Sequence, residues 1–441
     1  MIVRLRWFHL VAFLFMNGAC WRLPIWKGDV PAVSPVEREA FKTCGHGKVT
    51  VEGGKRLQRL PYLQSVTTSS AVVAFAAWPG DIWVEAKKED KLVARARARF
   101  AGSEEQRRRS FMHRDQKQAL SPDYYFVQRA DLDGLEPRTL YCYQVMSREG
   151  PLTEPAPLVT AAPPGQDEPV RFIVFGDSGS GSAAQQAIAR RIGSESFDFI
   201  LHLGDLAYEQ GSAAQFQTEF FDVYKDYLQV APVWPAIGNH DRNTRNGDPY
   251  FEAFVLPPPE RYYSFDWGDV HIVAIDTTGG WDEQVEWLKH DLSANRRRFT
   301  IVIGHHPMYT GSIRGPHLAL RKKFWPLFAF YRVNLVLMGH EHHYERFGMR
   351  NGIIHIVSGG GGGRLTRIYS KASTVVVKTV HHYLAFAVSK NKLTMRAIDI
   401  EGKEFDRIEL EWKPRRSTPP PERDKPPRSP LDVPVARAPP L

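Results

Sequence analysis

The 441 residues are 43% hydrophobic and 12% aromatic, enough for two domains of ordinary size and a sizeable core, which excludes a largely disordered chain. The formal net charge is +9, part of it in the N-terminal segment and the C-terminal tail. The basic runs at 107–109 and 296–298 carry no interleaved aromatic residues, so they read as solvated turns and not as a nucleic-acid groove. No nucleic-acid partner is expected, although a basic surface would steer anionic substrates inward.

The chain opens "MIVRLRWFHLVAFLFMNGAC". Arg4 and Arg6 precede an apolar run from Trp7 to Met16, followed by Gly18, Ala19 and Cys20. That is the layout of a signal peptide over residues 1–20. The run is too short to span a bilayer, and no later segment reaches the roughly 18 apolar residues a spanning helix needs. "NGAC" is similar to a bacterial lipoprotein cleavage box but departs from it at Asn17, so a lipid anchor on Cys20 stays open as the lesser alternative. Cys44 and Cys142 are then the remaining cysteines, and a disulfide between them fits an oxidising compartment. No Asn-x-Ser/Thr sequon occurs, which favours a bacterial exported protein: periplasmic, cell-surface or secreted.

Residues 55–163 read as β. "SAVVAFAAW", "IWVEAKK", "LVARARARF", "YYFVQRADL" and "TLYCYQVMS" are short strand-like runs separated by Gly, Pro, Asp and Ser, the rhythm of a small β-sandwich. "LPYLQSVTTSSAVVAF" and "LDGLEPRTLYCYQV" resemble parts of a fibronectin type III-like module. A Pro/Gly-rich linker follows at 160–169. Then "VRFIVFGD", the helical "SAAQQAIARRI" and "FDFILHLGD" form a βαβ unit, which implies a parallel sheet with ligands at the strand C-termini. "YYSFDWGDVHIVAID" reads as a hairpin turning at Gly268-Asp269, and "EQVEWLKHDL" as an amphipathic helix. "TIVIGHH" and "VNLVLMGHEHH" are further apolar strands, "GIIHIVSGGGGG" runs into a glycine loop, and 374–412 adds strands. The tail 413–441 is Pro/Arg-rich and reads as disordered.

Four apolar strands end in Gly followed by Asp177, Asp205, His305 or His340, and a fifth, "VWPAIGNHD", ends in Gly-Asn239-His240. Glycine at each exit lets the backbone turn and leaves room for a bulky ion. Turns use Gly-Asp freely, but five exits bearing metal-competent side chains point to a shared crevice above the sheet. Carboxylates, imidazoles and an amide without thiolate suit hard and borderline ions. Two ions bridged by one carboxylate is the economical arrangement, and such pairs serve phosphoryl transfer. "GHEHH" places His340 and His342 two apart, so an extended backbone would send both toward the ions and His343 the other way. By the same reasoning His306 is not a ligand, and His202 is a core histidine.

The ordered blocks "GDSG", "GDLAY", "GNHD", "VIGHHP" and "GHEH" resemble the calcineurin-like metallophosphoesterase superfamily, and "GDLAY" with "GHEHHYER" resembles its purple acid phosphatase branch. The resemblance implies an α+β / α/β protein: a fibronectin type III-like β-sandwich (55–163), then a four-layer α/β/β/α metallophosphoesterase domain (169–412). It implies that Asp177, Asp205, Tyr208 and His342 hold Fe(III), with Asp205 bridging to a divalent ion (Fe, Zn or Mn) held also by Asn239, His305 and His340. It implies hydrolysis of small phosphate monoesters with a metal-bound hydroxide as nucleophile; a phosphodiesterase and a non-catalytic extracellular binding protein are the alternatives. His240 is the expected general acid. A further substrate-binding group falls on His317 or Arg314, between which the sequence does not choose; an arginine would bind phosphate but not shuttle a proton. Asp241 is expected to support a ligand histidine. The glycine run 359–363 lacks the Lys and Ser/Thr of a nucleotide-binding loop.

Overall fold

The computed structural model describes residues 35–102, 125–369 and 374–413. The leader at 1–20, the basic run 107–109 and residues 414–441 of the tail lie outside them.

Alternation of apolar and polar residues builds the first domain. Its strands are β1 (Leu57–Gln64), β2 (Ser70–Ala77), β3 (Ile82–Lys88), β4 (Lys91–Arg97), β5 (Arg99–Phe100), β6 (Val127–Asp133), β7 (Leu140–Ser147), β8 (Gly150–Pro151) and β9 (Ala156–Val159). They form two antiparallel sheets, β1-β2-β6-β5 and β4-β3-β7-β8, with β9 also on β7. Ile82, Val84 and Ala86 of β3 and Tyr141, Tyr143 and Val145 of β7 are buried, each two residues from the next. The strictly alternating "LVARARARF" is an edge: β4 buries nothing fully, and its Arg95 and Arg97 pair with Glu85 and Asp81. Charge on an exposed edge discourages pairing with another chain. Cys44, at the end of the helix Pro35–Cys44, is disulfide-bonded to Cys142 on β7.

The second domain carries β10 (Val170–Phe175), β11 (Phe199–His202), β12 (Val233–Pro235), β13 (Tyr263–Trp267), β14 (Val270–Ala274), β15 (Phe299–Gly304), β16 (Leu335–Met338), β17 (Tyr344–Phe347), β18 (Ile354–Ser358), β19 (Thr374–Lys378), β20 (His382–Ser389), β21 (Lys392–Asp399) and β22 (Glu404–Glu411). The six-stranded sheet runs β12-β11-β10-β20-β21-β22 and the seven-stranded sheet β13-β14-β15-β16-β18-β17-β19. The expected βαβ unit is present: β10 and β11 are parallel, joined through the helix Ala183–Ile192, whose first turn is capped by Ser182 accepting from Gln185 N. The hairpin turns at Gly268-Asp269 between antiparallel β13 and β14.

Parallel strands covered on both faces read as continuous apolar runs, and here both faces are visible in the packing. Ile272, Ala274, Ile301, Ile303, Leu335 and Leu337 join one core. Their neighbours Val273, Ile275, Val302, Val336 and Met338 join another, with Leu288 and Leu292 of the helix Trp281–Ala294 and Phe324 and Phe328 of the helix Leu318–Phe330. The first core continues into the β-sandwich. The seam is also hydrogen-bonded: Gln64 Nε2 donates to Val233 O at 3.1 Å, and Tyr143 Oη to Gln229 O at 2.9 Å. No described helix is long and apolar enough to cross a membrane.

Candidate metal centre

Asp177 follows β10, Asp205 follows β11 and Asn239 follows β12, all in one sheet; His305 and His340 follow β15 and β16 in the other. The five exits converge. His305 Nε2 lies 3.3 Å from Asp205 Oδ2, 3.1 Å from Asn239 Oδ1 and 3.3 Å from His340 Nδ1. His342 Nε2 lies 3.3 Å from Asp177 Oδ1 and 3.1 Å from Tyr208 Oη, which itself is 3.3 Å from Asp177 Oδ1. One donor atom each of Asp177, Asp205 and His305 falls within 4.8 Å of the others, so the two groups meet.

These contacts set acceptor against acceptor once the imidazole tautomers are assigned, an arrangement that would suit a cation. His305 Nδ1 is 2.8 Å from Leu203 O, and His342 Nδ1 is 2.8 Å from Arg364 O. A carbonyl only accepts, so each Nδ1 carries the hydrogen and each neutral ring turns an Nε2 lone pair inward. Around His305 Nε2 that lone pair meets those of a carboxylate and an amide. Such a set needs a cation at its centre, and carbonyl-held imidazoles are the usual support of metal-binding histidines. The same spot holds a proton strongly when it holds no cation: burial alone would lower the His305 pKa, but the Asp205 and Asp177 carboxylates outweigh it and hold it up at about 10, so a metal ion at Nε2 would displace that proton. The Tyr208 hydroxyl is pushed well above its ordinary value by burial first and by Asp177, Asp205 and Asp241 after it. The donor set therefore fits hard or borderline cations, and only a strongly charged one would ionise the phenol.

The glycines before these residues act differently from expectation. Of the five, only Gly204 has a positive φ (+91°), and the left-handed conformation falls mostly on the next residue: Asp177 (+57°), Asp205 (+56°) and His340 (+69°). Glycine is required by close approach. A Cβ at Gly339 would lie 2.5 Å from Asp177 Oδ2, and one at Gly238 would lie 2.1 Å from Asp205 Oδ1. Gly359 and Gly363 of the glycine run likewise pack against Asp177 and the His342 ring. The reasoning from alternation at 340–343 also needs correction. Residues 340–343 form bends with His340 left-handed, and the strand begins only at Tyr344. His340 and His342 still face the centre, while His343 is buried against Thr366 and Glu345.

Asp241 supports backbone, and no contact to a ligand histidine is found for it among the described residues. Its carboxylate accepts from Asp205 N, Leu206 N and Gly238 N at 2.8, 2.8 and 2.9 Å, holding the exits of β11 and β12 together. The loop bearing Tyr208 is held by Glu219 Oε2, which accepts Tyr208 N at 3.0 Å from a π-helical turn, Phe216–Phe221. His240 is partly exposed beside Tyr208, with ring centroids 4.7 Å apart, and its Nδ1 is 2.8 Å from Glu209 O. His317 caps the helix Leu318–Phe330 through Nδ1, and its ring centroid is 5.9 Å from that of His306. His306, set aside by the sequence reasoning, has a ring nitrogen within 4.8 Å of those of His305 and His340, and its Nδ1 meets Thr277 Oγ1 at 2.9 Å. The only signal for it was adjacency in "GHHP". His202 is a buried core histidine between Phe175 and Phe220, with Nε2 on Ser178 Oγ.

Residues 170–344 match the calcineurin-like phosphoesterase family. The chain is 27% identical to human tartrate-resistant acid phosphatase type 5 over 305 residues, 57% of this chain and 92% of that protein. The chain is thus similar to purple acid phosphatases, and its residues 170–344 carry the calcineurin-like phosphoesterase pattern. It is also 30% identical to an uncharacterized Mycobacterium tuberculosis protein over 285 residues, 53% of each, and so spans about half that relative's length. The purple acid phosphatase of yellow lupin seeds shares the fold, with a TM-score of 0.70, 19% identity and coverage of 80% of this chain and 74% of that one.

Proposed function

We propose that this metallophosphoesterase hydrolyses small phosphate monoesters at a binuclear metal centre outside the cytoplasm. The observation that carries the reading is the inward convergence of Asp177, Asp205, Tyr208, Asn239, His305, His340 and His342, whose lone pairs need two cations. Asp177, Tyr208 and His342 would hold Fe(III), Asn239, His305 and His340 would hold a divalent Fe, Zn or Mn ion, and Asp205 would serve both. Such a pair supplies Lewis acidity, neutralising charge on the phosphoryl oxygens and lowering the pKa of an attacking water. Tyr208 is the residue that favours ferric iron, because a phenolate binds it strongly.

His240 is the general acid. Its Nδ1 hydrogen is given to the Glu209 carbonyl; in the imidazolium form Nε2 carries the second proton, gives it to the departing alkoxide oxygen as the ester P–O bond breaks, and leaves the neutral ring. His317 or Arg314 supplies a further contact to phosphate. The strand order β1-β2-β6 against β4-β3-β7-β9 supports a fibronectin type III-like reading of the sandwich. The two inner sheets, with helices packed against the seven-stranded one, support a four-layer domain. The Cys44–Cys142 disulfide supports export; the leader at 1–20, with the lipidation alternative at Cys20, falls outside the described residues.

The test is an aryl phosphate assay over about pH 4–9 on protein loaded with both metals. Turnover is expected; fully loaded protein without any would refute the proposal.

A further inference from the structure

Glu341 sits between the two centre histidines His340 and His342. It is fully buried; the Ser312 side chain lies beside its carboxylate, and no nitrogen donor reaches hydrogen-bond distance of either oxygen among the described residues. A buried carboxylate in that state is costly unless a cation compensates it. The cation at hand is Arg314. Its Nη1 lies 3.8 Å from Glu341 Oε2 and donates to His340 O at 3.1 Å. Its side chain is 50% exposed, so the remaining donors of the guanidinium face open space at the rim of the centre.

The segment that carries Arg314 is fixed from several sides. Gly311 N donates to Glu345 Oε2 at 2.9 Å, Tyr369 N donates to Gly311 O at 2.9 Å, and Ser312 bridges to Ile368. Glu345 is itself buried and bonded by His343 and Thr374. His317, the alternative phosphate contact, has committed Nδ1 to Leu320 N.

We propose that Arg314, held by Glu341 and the His340 carbonyl, is a specificity-determining residue that reads the third non-bridging oxygen of a phosphate monoester. The inference rests on the hydrolase reading above. A monoester dianion offers three non-bridging oxygens. A diester offers two and puts a substituted, uncharged ester oxygen in the third position, where a rigid guanidinium gains little. Glu341 is the positioning residue: it keeps the fork of Arg314 from turning outward to solvent.

The experiment compares 4-nitrophenyl phosphate with methyl 4-nitrophenyl phosphate, which share a leaving group, on metal-loaded wild type, R314Q, E341Q and the double variant. Metal content is checked in each. Binding of inorganic phosphate is measured alongside by calorimetry. R314Q is expected to lower the ratio of monoester to diester kcat/KM roughly 10- to 100-fold, the scale of one charge-assisted hydrogen bond. Phosphate affinity should fall by a similar factor. E341Q should shift both the same way by less, and add little on top of R314Q. An unchanged ester ratio in R314Q overturns the inference. Half-exposed Arg314 tolerates replacement, so the test survives a misfolded E341Q. A wild type inactive on both esters refutes the hydrolase reading instead; phosphate affinity equal in wild type and R314Q then overturns this inference as well.

Discussion

His271 gives a quantitative handle on stability. It lies on β14 opposite Asp266 of β13, with Nδ1 2.8 Å from Asp266 Oδ1 and Nε2 2.9 Å from Asp291 Oδ2 on the helix Trp281–Ala294. One ring therefore ties the edge hairpin of the seven-stranded sheet to its covering helix. Burial alone would lower its pKa, but the two carboxylates outweigh burial and hold it up at about 9. Against an ordinary value of about 6.5, that is about 2.5 pH units at 1.36 kcal/mol each, or about 3 kcal/mol. Asp266 is 42% exposed, and solvent screening brings the figure nearer about 2 kcal/mol. Because the folded value is raised, the contribution is complete below about pH 6.5 and is lost as pH rises through about 9. Urea denaturation of wild type and H271Q, with the disulfide intact, should therefore show a gap in unfolding free energy that shrinks by about 2–3 kcal/mol between about pH 6 and pH 9.5. A gap that does not change with pH would show that the ring contributes packing and no charge, and would refute the reasoning.

Tyr208→Phe should abolish any visible absorption band of the as-isolated protein and lower its iron content, as read by spectrum and metal analysis. Asp241→Ala removes the carboxylate that accepts three hydrogen bonds from the backbone aiming Asp205 and Asn239, so Zn2+ affinity by calorimetry should fall roughly 10- to 100-fold. Gly339→Ala pushes a methyl group against Asp177 and should cost metal binding at least as much as stability. Gly54→Ala, which meets nothing within 4 Å, should be neutral in both measurements.

Much of this was legible in the chain because the site is written at strand ends. Apolar runs ending in Gly plus a metal-competent side chain identify β10, β11, β12, β15 and β16 in order, and parallel pairing aligns their C-termini. What the sequence hid was orientation. The 340–343 segment was read as extended because two-residue spacing fits a strand, yet a left-handed His340 achieves the same facing through a turn. Asp241 was assigned to a histidine because sequence adjacency to Asn239 carries no information on which backbone amides surround it. His306 was set aside as the off-phase neighbour of a ligand, and Glu341 drew no reading. In a bend there is no phase, and both lie at the centre or just beneath it.

That difference in backbone has a consequence for how the site is held. Three of the seven converging residues, Asp177, Asp205 and His340, sit in a conformation that costs a non-glycine residue of order 1–3 kcal/mol each. The strain persists because each is over-determined by backbone donors. His340 N donates to both Asp177 carboxylate oxygens at 3.0 and 2.9 Å, and His240 N donates to Asp205 Oδ1 at 3.0 Å. The exits of the two sheets thus lock one another: the backbone of a β16 exit residue orients the side chain of a β10 exit residue, and the β12 exit orients that of β11. Helical or straight-strand geometry would point these side chains along their own sheet. The strained turns point them across the gap between the sheets, so the carboxylates are already aimed before any cation arrives, and the binding energy of the metals is spent on coordination and not on ordering the loops.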